Sequence, residues 1–182
     1  GLLDALGVAR AHFCGLSMGG ATGLWLAAHA ATRIDRLVLC NTTPWLGPPE
    51  AMDARIATIR REGMAALVEG IIQRWFTDDA SMHNDVAVER TRQTLLKTPV
   101  GGYIGCCEAL RDMDQRADLA RITAPTLVIA GKFDPAPTPA AAQEWASMIP
   151  NARLLELPTA HLSNIGAAGE FNQQVLTFLL GE

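Results

Sequence analysis

Long apolar runs, clusters of basic residues and targeting segments are missing from this 182-residue sequence. No apolar stretch approaches the roughly 18 residues that a membrane span requires, and no signal peptide is visible. The net charge is −4 without a basic cluster, whereas phosphate binding needs concentrated Lys and Arg. We therefore expect no membrane and no nucleic acid among the partners, and a cytoplasmic location.

Cysteine motifs are also missing, although the chain has four cysteines. None of them shows the C-x-x-C spacing of metal or redox sites. The chain is 49% hydrophobic and can build one sizeable core, so a disulfide scaffold is not needed. We predict buried thiols in a reducing compartment, with a nucleophilic Cys106 or Cys107 as the weaker alternative. Because H-E-x-x-H, P-loop and G-x-G-x-x-G motifs are absent too, we expect no metal and no cofactor.

What the sequence does contain is Gly15-Leu16-Ser17-Met18-Gly19, close to its start. An apolar run over 11–16 precedes it and a small-residue helical pattern over 20–31 follows. Strand, G-x-S-x-G and helix in this order are typical of a nucleophile elbow, where the chain turns sharply at the serine. We expect the glycines two positions before and after Ser17 to remove Cβ atoms that would clash there. The alternative is a chance Gly/Ser turn.

Strand and helix patterns alternate on both sides of a purely helical segment. Buried parallel strands are predicted at 11–16, 36–40, 126–130 and 153–157. Helices are predicted at 2–9, 20–31, 52–61, 64–76, 86–97, 103–113, 140–148 and 170–180. The alternation indicates an α/β fold with helices on both faces of a mostly parallel sheet. We predict a core over 1–48, a helical cap over 49–119 and a second core segment over 120–182.

A serine hydroxyl needs a base within reach and a third group that orients the base. In open α/β sheets, such groups lie on loops beyond the carboxyl ends of strands. Asp134 follows the third strand and His161 follows the fourth, whereas the loop after the second strand contains no acid. The order Ser17, Asp134, His161 is the order of α/β-hydrolases. The sequence therefore predicts these three residues as a catalytic triad.

Each member of this triad has an alternative role, and the oxyanion hole is incomplete. Asp134 could be a turn former before Pro135, and His161 could be a surface histidine. The backbone N–H of Met18 should form half of an oxyanion hole, whereas the loop that carries the second donor is absent from the sequence. The remaining histidines are predicted to be structural or solvated: His12, His29 and His83.

These stretches resemble the α/β-hydrolase superfamily and, within it, the 3-oxoadipate enol-lactonases of the bacterial β-ketoadipate pathway of aromatic degradation. H-F-C-G-L-S-M-G-G at the elbow is common to many hydrolases, whereas C-C-E-A-L-R-D-M-D and H-L-S-N-I narrow the likeness to the lactonases. The likeness runs along nearly the whole chain. It implies Ser17 as nucleophile, His161 as base, Asp134 as its partner and a helical cap over the site.

The superfamily pattern has eight strands, and this chain shows only the last four. We therefore expect the N-terminal half of the fold to be supplied in cis or by another chain. Without it, the strand over 11–16 would expose an apolar edge.

The resemblance implies a serine esterase that opens the lactone ring of 3-oxoadipate enol-lactone to give 3-oxoadipate. This small substrate carries a carboxylate, so a cation should line the pocket; Arg74, Arg111 and Lys132 are candidates, although each could be a surface charge. Trp45 could form a pocket wall or pack between cap and core. A general carboxylesterase, a carbon–carbon bond hydrolase and a non-catalytic binding module remain alternatives.

Overall fold

A computed structural model describes residues 1–76 and 85–181 and contains one parallel sheet. Its strands are β1 (Ala11–Leu16), β2 (Ile34–Cys40), β3 (Thr126–Gly131) and β4 (Ala152–Leu157), hydrogen-bonded in this order. Gly15 pairs with Leu39, and Leu39 pairs with Val128. The four predicted strands are therefore confirmed, with β2 beginning two residues earlier than the apolar run suggested.

Eight of the helices below follow the predicted pattern with shifts at their ends, whereas the short helix Ser163–Gly166 lies in a stretch that lacks a predicted helix. The helices are α1 (Leu2–Ala5), α2 (Met18–His29), α3 (Glu50–Glu62), α4 (Ala65–Trp75), α5 (Asp85–Lys97), α6 (Val100–Asp112), α7 (Pro139–Ala146), α8 (Ser163–Gly166) and α9 (Ala168–Leu180). The largest difference is α1, which ends at Ala5 although its pattern extends to Ala9. Gly7 adopts φ +66° just beyond it, a left-handed conformation that ends helices.

Alternate residues of β2 point to opposite faces of the sheet, and helices cover both faces. Leu37 and Leu39 pack with α2 and α7, where Leu24 and Trp145 are buried. The neighbours Val38 and Cys40 pack with α9, which contributes Phe171, Val175 and Phe178. Burying each large side chain of this kind contributes about 1.5–3 kcal/mol, so the doubly covered sheet is the main source of stability.

The segment from α3 to α6 lies between β2 and β3 in sequence and has a hydrophobic cluster of its own. Val68, Ile71 and Ile72 of α4 pack against Val88 and Leu95 of α5. The division into core, cap and core at 1–48, 49–119 and 120–182 stays a prediction. Over 1–76 and 85–181, no helix is both long and apolar enough to span a bilayer.

Within the described ranges, β1 pairs with β2 and lies at the edge of the sheet. Cys14 on β1 is exposed and Cys106 is half-buried, while Cys40 and Cys107 are buried; all four thiols are free. The prediction of uniformly buried thiols is therefore wrong for Cys14. Cys14 lies on β1, the edge strand of the described sheet.

Candidate active site

The turn between β1 and α2 places Ser17 at the carboxyl edge of the sheet. Ser17 adopts φ +53°, a conformation that is uncommon for a residue with a Cβ and that is typical of functional sites. Its backbone N–H donates to Cys40 O at 2.8 Å, and Thr42 Oγ1 donates to Ser17 O at 2.7 Å. Both neighbouring groups belong to β2 and the loop after it, so β2 holds the turn in place.

The structure corrects the predicted role of the two motif glycines. A Cβ on Gly15 would overlap the carbonyl oxygen of Gly19, as expected, but a Cβ on Gly19 would meet no atom within 4 Å. The second close approach involves Gly20, whose Cβ would lie 2.7 Å from Thr42 Cβ. Gly19 is free of contacts because it lines a cavity.

The side chains of Asp134 and His161 are joined by a hydrogen bond. His161 Nδ1 lies 2.7 Å from Asp134 Oδ2, and both side chains are buried. An ionised carboxylate only accepts hydrogen bonds, so we assign the proton to Nδ1 and leave Nε2 as an acceptor. The second carboxylate oxygen, Asp134 Oδ1, accepts from the backbone N–H of Ala136 at 3.1 Å.

A buried polar network holds this pair from the side of β2. Asn41, at φ +45° directly after β2, donates through Nδ2 to Asp134 Oδ2 and to Ala160 O, both at 3.1 Å. Ser163 Oγ donates to Asn41 Oδ1 at 2.7 Å, and Thr159 Oγ1 lies 2.8 Å from Ser163 Oγ. The three polar side chains are at most 2% exposed, and each has a partner, as buried polar groups require.

The end of α4 reaches the histidine loop. The ring of Trp75 stacks on His161, with centroids 5.8 Å apart and planes inclined by 25°. The backbone N–H of Leu162 donates to Trp75 O at 3.3 Å. These two contacts tie the helical segment to the loop that carries His161.

A cavity of about 470 Å³ connects these groups. Ser17, Asp134 and His161 all line it, and so does Met18, the first residue of α2. Ser17 Oγ has no hydrogen-bond partner among residues 1–76 and 85–181. The hydrogen bond between a nucleophile and its base is often long in structures without a substrate. The structure thus brings together all four residues that the sequence singled out.

The other residues that the sequence suggested for the substrate pocket differ in whether they line the cavity. Arg74 lines the cavity, but Arg111 forms ion pairs with Asp53 and Asp112, and Lys132 is exposed beside Phe133. Trp45 lies under the guanidinium of Arg116, 4.0 Å from ring centroid to Cζ, and is not in the lining.

The two adjacent thiols, Cys106 and Cys107, both line the cavity. Burial raises the pKa of the Cys107 thiol, whereas a nucleophilic cysteine needs a lowered pKa.

Two of the remaining histidines have partners outside the cavity. His12 lies 3.3 Å from Asp35, and His29 stacks on Trp25; His83 lies outside the described residues. No group of three His, Cys, Asp or Glu side chains in the described part of the chain is placed to hold a metal ion.

Sequence reasoning missed four residues that line the cavity: Asn41, Trp75, Arg55 and Tyr103. The rule that predicted Asp134 also applies to Asn41, because Asn41 follows a strand at the same edge of the sheet. Its side chain is an amide, which a criterion that requires an acid does not select. Trp75 and Arg55 lie on helices, and no local sequence pattern predicts where these helices pack relative to the cavity.

The sequence and the fold match known proteins over nearly the whole chain. Residues 2–168 match the profile of the family described as alpha/beta hydrolase fold. The chain belongs to the alpha/beta hydrolase family. It is 38% identical over 174 residues to 3-oxoadipate enol-lactonase 2 of Acinetobacter baylyi, covering 96% of this chain and 65% of that relative. It spans about two thirds of the length of the curated relatives it matches.

Two further members of this alpha/beta hydrolase family are also similar. The crystal structure of the enol-lactonase from Burkholderia xenovorans superposes with a TM-score of 0.94 at 44% identity, covering 99% of this chain and 69% of that one. A putative carbamate hydrolase, RutD, of Stutzerimonas stutzeri is 32% identical, covering 98% of this chain and 69% of that relative. The similarity therefore extends to members named for different substrates.

Proposed function

We propose that this chain carries the catalytic triad of a serine hydrolase that opens carboxylic esters or lactones. The observation that carries the proposal is the 2.7 Å hydrogen bond between His161 and Asp134 in a cavity that Ser17 also lines. The bond leaves Nε2 of His161 as the acceptor that a serine nucleophile requires. The hydrogen bonds of Asn41 favour catalysis over a non-catalytic binding module. They fix the orientation of the Asp134 carboxylate, which the binding of a ligand alone does not require.

The mechanism follows from these groups. His161 Nε2 takes the proton of Ser17 Oγ as the oxygen attacks the ester carbonyl carbon. The Met18 N–H donates to the oxyanion of the tetrahedral intermediate. Collapse breaks the bond to the leaving oxygen, which receives the proton from His161. A water molecule, deprotonated by His161, then attacks the acyl-enzyme and releases the acid and free Ser17.

For the substrate we propose 3-oxoadipate enol-lactone, whose ring opening gives 3-oxoadipate. In a lactone, the leaving oxygen stays attached to the acyl group, and here it departs as an enol that becomes a ketone. The similarity to two enol-lactonases supports this choice. A general carboxylesterase or carbon–carbon bond hydrolase of the same fold is the second candidate, which the similarity to a putative carbamate hydrolase keeps open. The proposed reaction uses these side chains, the Met18 backbone N–H and water.

The test compares turnover of the enol-lactone and of p-nitrophenyl acetate by the full-length native protein and by its Ser17→Ala variant. We expect Ser17→Ala to lower kcat by at least about 10³-fold for both substrates, with unchanged thermal unfolding. Ser147→Ala is the matched control. Ser147 is an exposed serine directly after α7. Undiminished turnover by Ser17→Ala would rule out the nucleophile, and a strong preference for the simple ester would rule out the lactone.

A further inference from the structure

A second cavity, of about 230 Å³, lies at the amino edge of the sheet. Thr126 and Ala152, the first residues of β3 and β4, are part of its lining. Asp134 and His161 follow the carboxyl ends of the same two strands. Each strand has 6 residues, which corresponds to a length of roughly 20 Å. This cavity and the candidate active site therefore lie at opposite edges of the sheet.

Two guanidinium groups line this second cavity. Arg36 belongs to β2 and Arg153 to β4. Their Cζ atoms lie 5.5 and 5.0 Å from the centroid of the same ring, which is that of Phe178 on α9. The shared ring brings the two charges close to each other, although β3 separates their strands in the sheet.

Neither guanidinium has a counter-ion in the described part of the chain. Arg36 and Arg153 form no ion pair with a carboxylate of residues 1–76 and 85–181, and no Asp or Glu of these ranges lines the cavity. By contrast, Arg10 and Arg33, which precede β1 and β2 at the same edge, each form an ion pair with an aspartate. Two neighbouring cations without a counter-ion repel each other, and an anion between them would remove that repulsion.

The end of α9 holds one of the two guanidiniums in place and offsets only part of the charge. A Cβ on Gly181 would lie 2.9 Å from Arg36 Nη2, so this guanidinium lies against the backbone at the helix end. A helix C-terminus carries roughly half a negative elementary charge, whereas each guanidinium carries a full positive charge. A surplus of positive charge therefore stays in the cavity.

The polar side chains beside the arginines already donate elsewhere. Thr126 Oγ1 donates to Ala124 O at 2.9 Å, and Asn151 Nδ2 donates to Thr123 O at 3.2 Å. The remaining donors of the cavity are mainly the two guanidiniums, whose planar forks match the oxygens of a phosphate or a carboxylate. Phosphate carries nearly two negative charges at pH 7, so it compensates two cations better than the single charge of a carboxylate.

We infer that Arg36 and Arg153 form an oxyanion site at the amino edge of the sheet, and that its ligand class is phosphate, either free or as a monoester. The bound anion joins β2, β4 and the end of α9, so it stabilises the packing of this helix on the sheet. The site is distinct from the proposed hydrolase activity and does not depend on it.

Thermal unfolding of the full-length native protein tests the site, with sodium phosphate, glycerol 3-phosphate or sodium acetate added at equal ionic strength. We expect phosphate to raise Tm about 3–6 °C more than acetate does, which is the shift that a ligand at about ten times its Kd produces in a chain of this size. An equal shift with glycerol 3-phosphate would assign the site to phosphate monoesters as well, and a shift with phosphate alone would assign it to the free ion.

Variants of the two arginines separate binding from the general stabilisation that phosphate gives to folded proteins. Arg36→Gln and Arg153→Gln should each lose most of the difference between phosphate and acetate, and Arg153→Lys should keep part of it because it keeps the charge without the fork. Arg90→Gln, at an exposed arginine of α5, is the matched control and should keep the whole difference. The site is overturned if the native protein responds equally to phosphate and acetate, or if both glutamine variants respond like the native protein.

Two further variants locate the bound phosphate. Arg74→Gln should keep the shift; if it alone removed the shift, phosphate would bind in the cavity that Arg74 lines, and the inferred site would be overturned. Glu182 lies outside the described residues and follows Gly181 in sequence. Glu182→Gln should bind phosphate at least as tightly as the native protein. Binding by this variant alone would mean that the chain's own carboxylate excludes an external anion, which also overturns the site.

Isothermal titration calorimetry with sodium phosphate measures binding without unfolding, so it covers variants whose stability changes for other reasons. We expect Arg153→Gln to raise Kd about tenfold or more and Arg90→Gln to leave it unchanged. Phosphate should not inhibit turnover of p-nitrophenyl acetate, because the site lies at the edge of the sheet opposite to Ser17. A Kd that is the same in Arg153→Gln and the native protein, or inhibition that is competitive with the ester, would contradict the inference.

Discussion

Asn41 and His161 donate to the same oxygen of Asp134. Asn41 Nδ2 lies 3.1 Å from Oδ2 and His161 Nδ1 lies 2.7 Å from it. Asn41 follows β2, whereas Asp134 follows β3, so two neighbouring strands together determine the orientation of the carboxylate. We propose that Asn41 is a positioning residue for the acid.

Replacing this residue tests that role. Asn41→Ala should cost about 1–3 kcal/mol of unfolding free energy, because the buried groups Ser163 Oγ, Ala160 O and Asp134 Oδ2 each lose a hydrogen bond to Asn41. It should also lower kcat about tenfold, since Asp134 loses one of two restraints on Oδ2. Urea unfolding and steady-state turnover of p-nitrophenyl acetate measure the two effects, with KM as a separate readout.

Asn164→Ala, at an exposed asparagine of α8, is the control and should change neither quantity. A variant at Asn41 that lost stability but kept the native kcat and pH profile would assign the residue a purely structural role.

The stacked pair Trp75 and His161 should orient the imidazole ring. Trp75→Ala should lower kcat about 2- to 10-fold, the equivalent of an aromatic contact of about 0.5–1.5 kcal/mol, and Trp75→Phe should recover part of that loss. Trp25→Ala is the matched control, because Trp25 stacks on His29 in the same way on an exposed face of α2. Equal kcat for Trp75→Ala and the native protein would show that stacking does not orient the base.

The two glycines of the elbow should respond differently to alanine. Gly15→Ala places a Cβ against the carbonyl oxygen of Gly19 and should destabilise the protein by about 1–3 kcal/mol or more. Gly19→Ala meets nothing within 4 Å and lies in the first turn of α2, where alanine is the better helix former by up to about 1 kcal/mol. Thermal unfolding of the two variants checks this contrast, which equal losses of Tm would contradict.

The titration of Tyr103 provides an optical measure of its burial and of the charge of Arg55. It is the chain's single tyrosine, and burial raises its pKa above the usual 10.0. The folded protein therefore holds the phenol proton more tightly than the unfolded chain. The resulting stabilisation is present below about pH 10 and is lost as the pH rises through the raised pKa.

The difference in phenolate absorbance between the native protein and Tyr103→Phe isolates this titration. Arg55→Met should move it to still higher pH, because the charge of Arg55 lowers the pKa. Arg61→Met should leave it in place. A titration at or below the usual pKa in the native protein would contradict the burial of the phenol.

Local patterns were sufficient to predict the four strands of the described sheet, which the structure confirms, and to propose the order of the triad. Each strand is a short apolar run bounded by turn residues, and parallel strands bring their carboxyl ends to one edge, so Asp134 and His161 could be assigned from their places after β3 and β4. The same patterns failed where a contact depends on distant neighbours. Gly19 has open space in place of a clash, and Cys14 is exposed because β1 lies at the edge of the described sheet.

The sequence by itself determined the candidates for the proposed chemistry, since a serine in a strand–turn–helix and two polar residues after later strands are local features. Only the tertiary structure decided what surrounds them. Asn41 meets Asp134 across 93 positions of the chain, and Arg55, Arg74 and Tyr103 meet over the cavity from three helices. Such contacts depend on how helices and strands pack in space, which a periodicity along the chain does not encode.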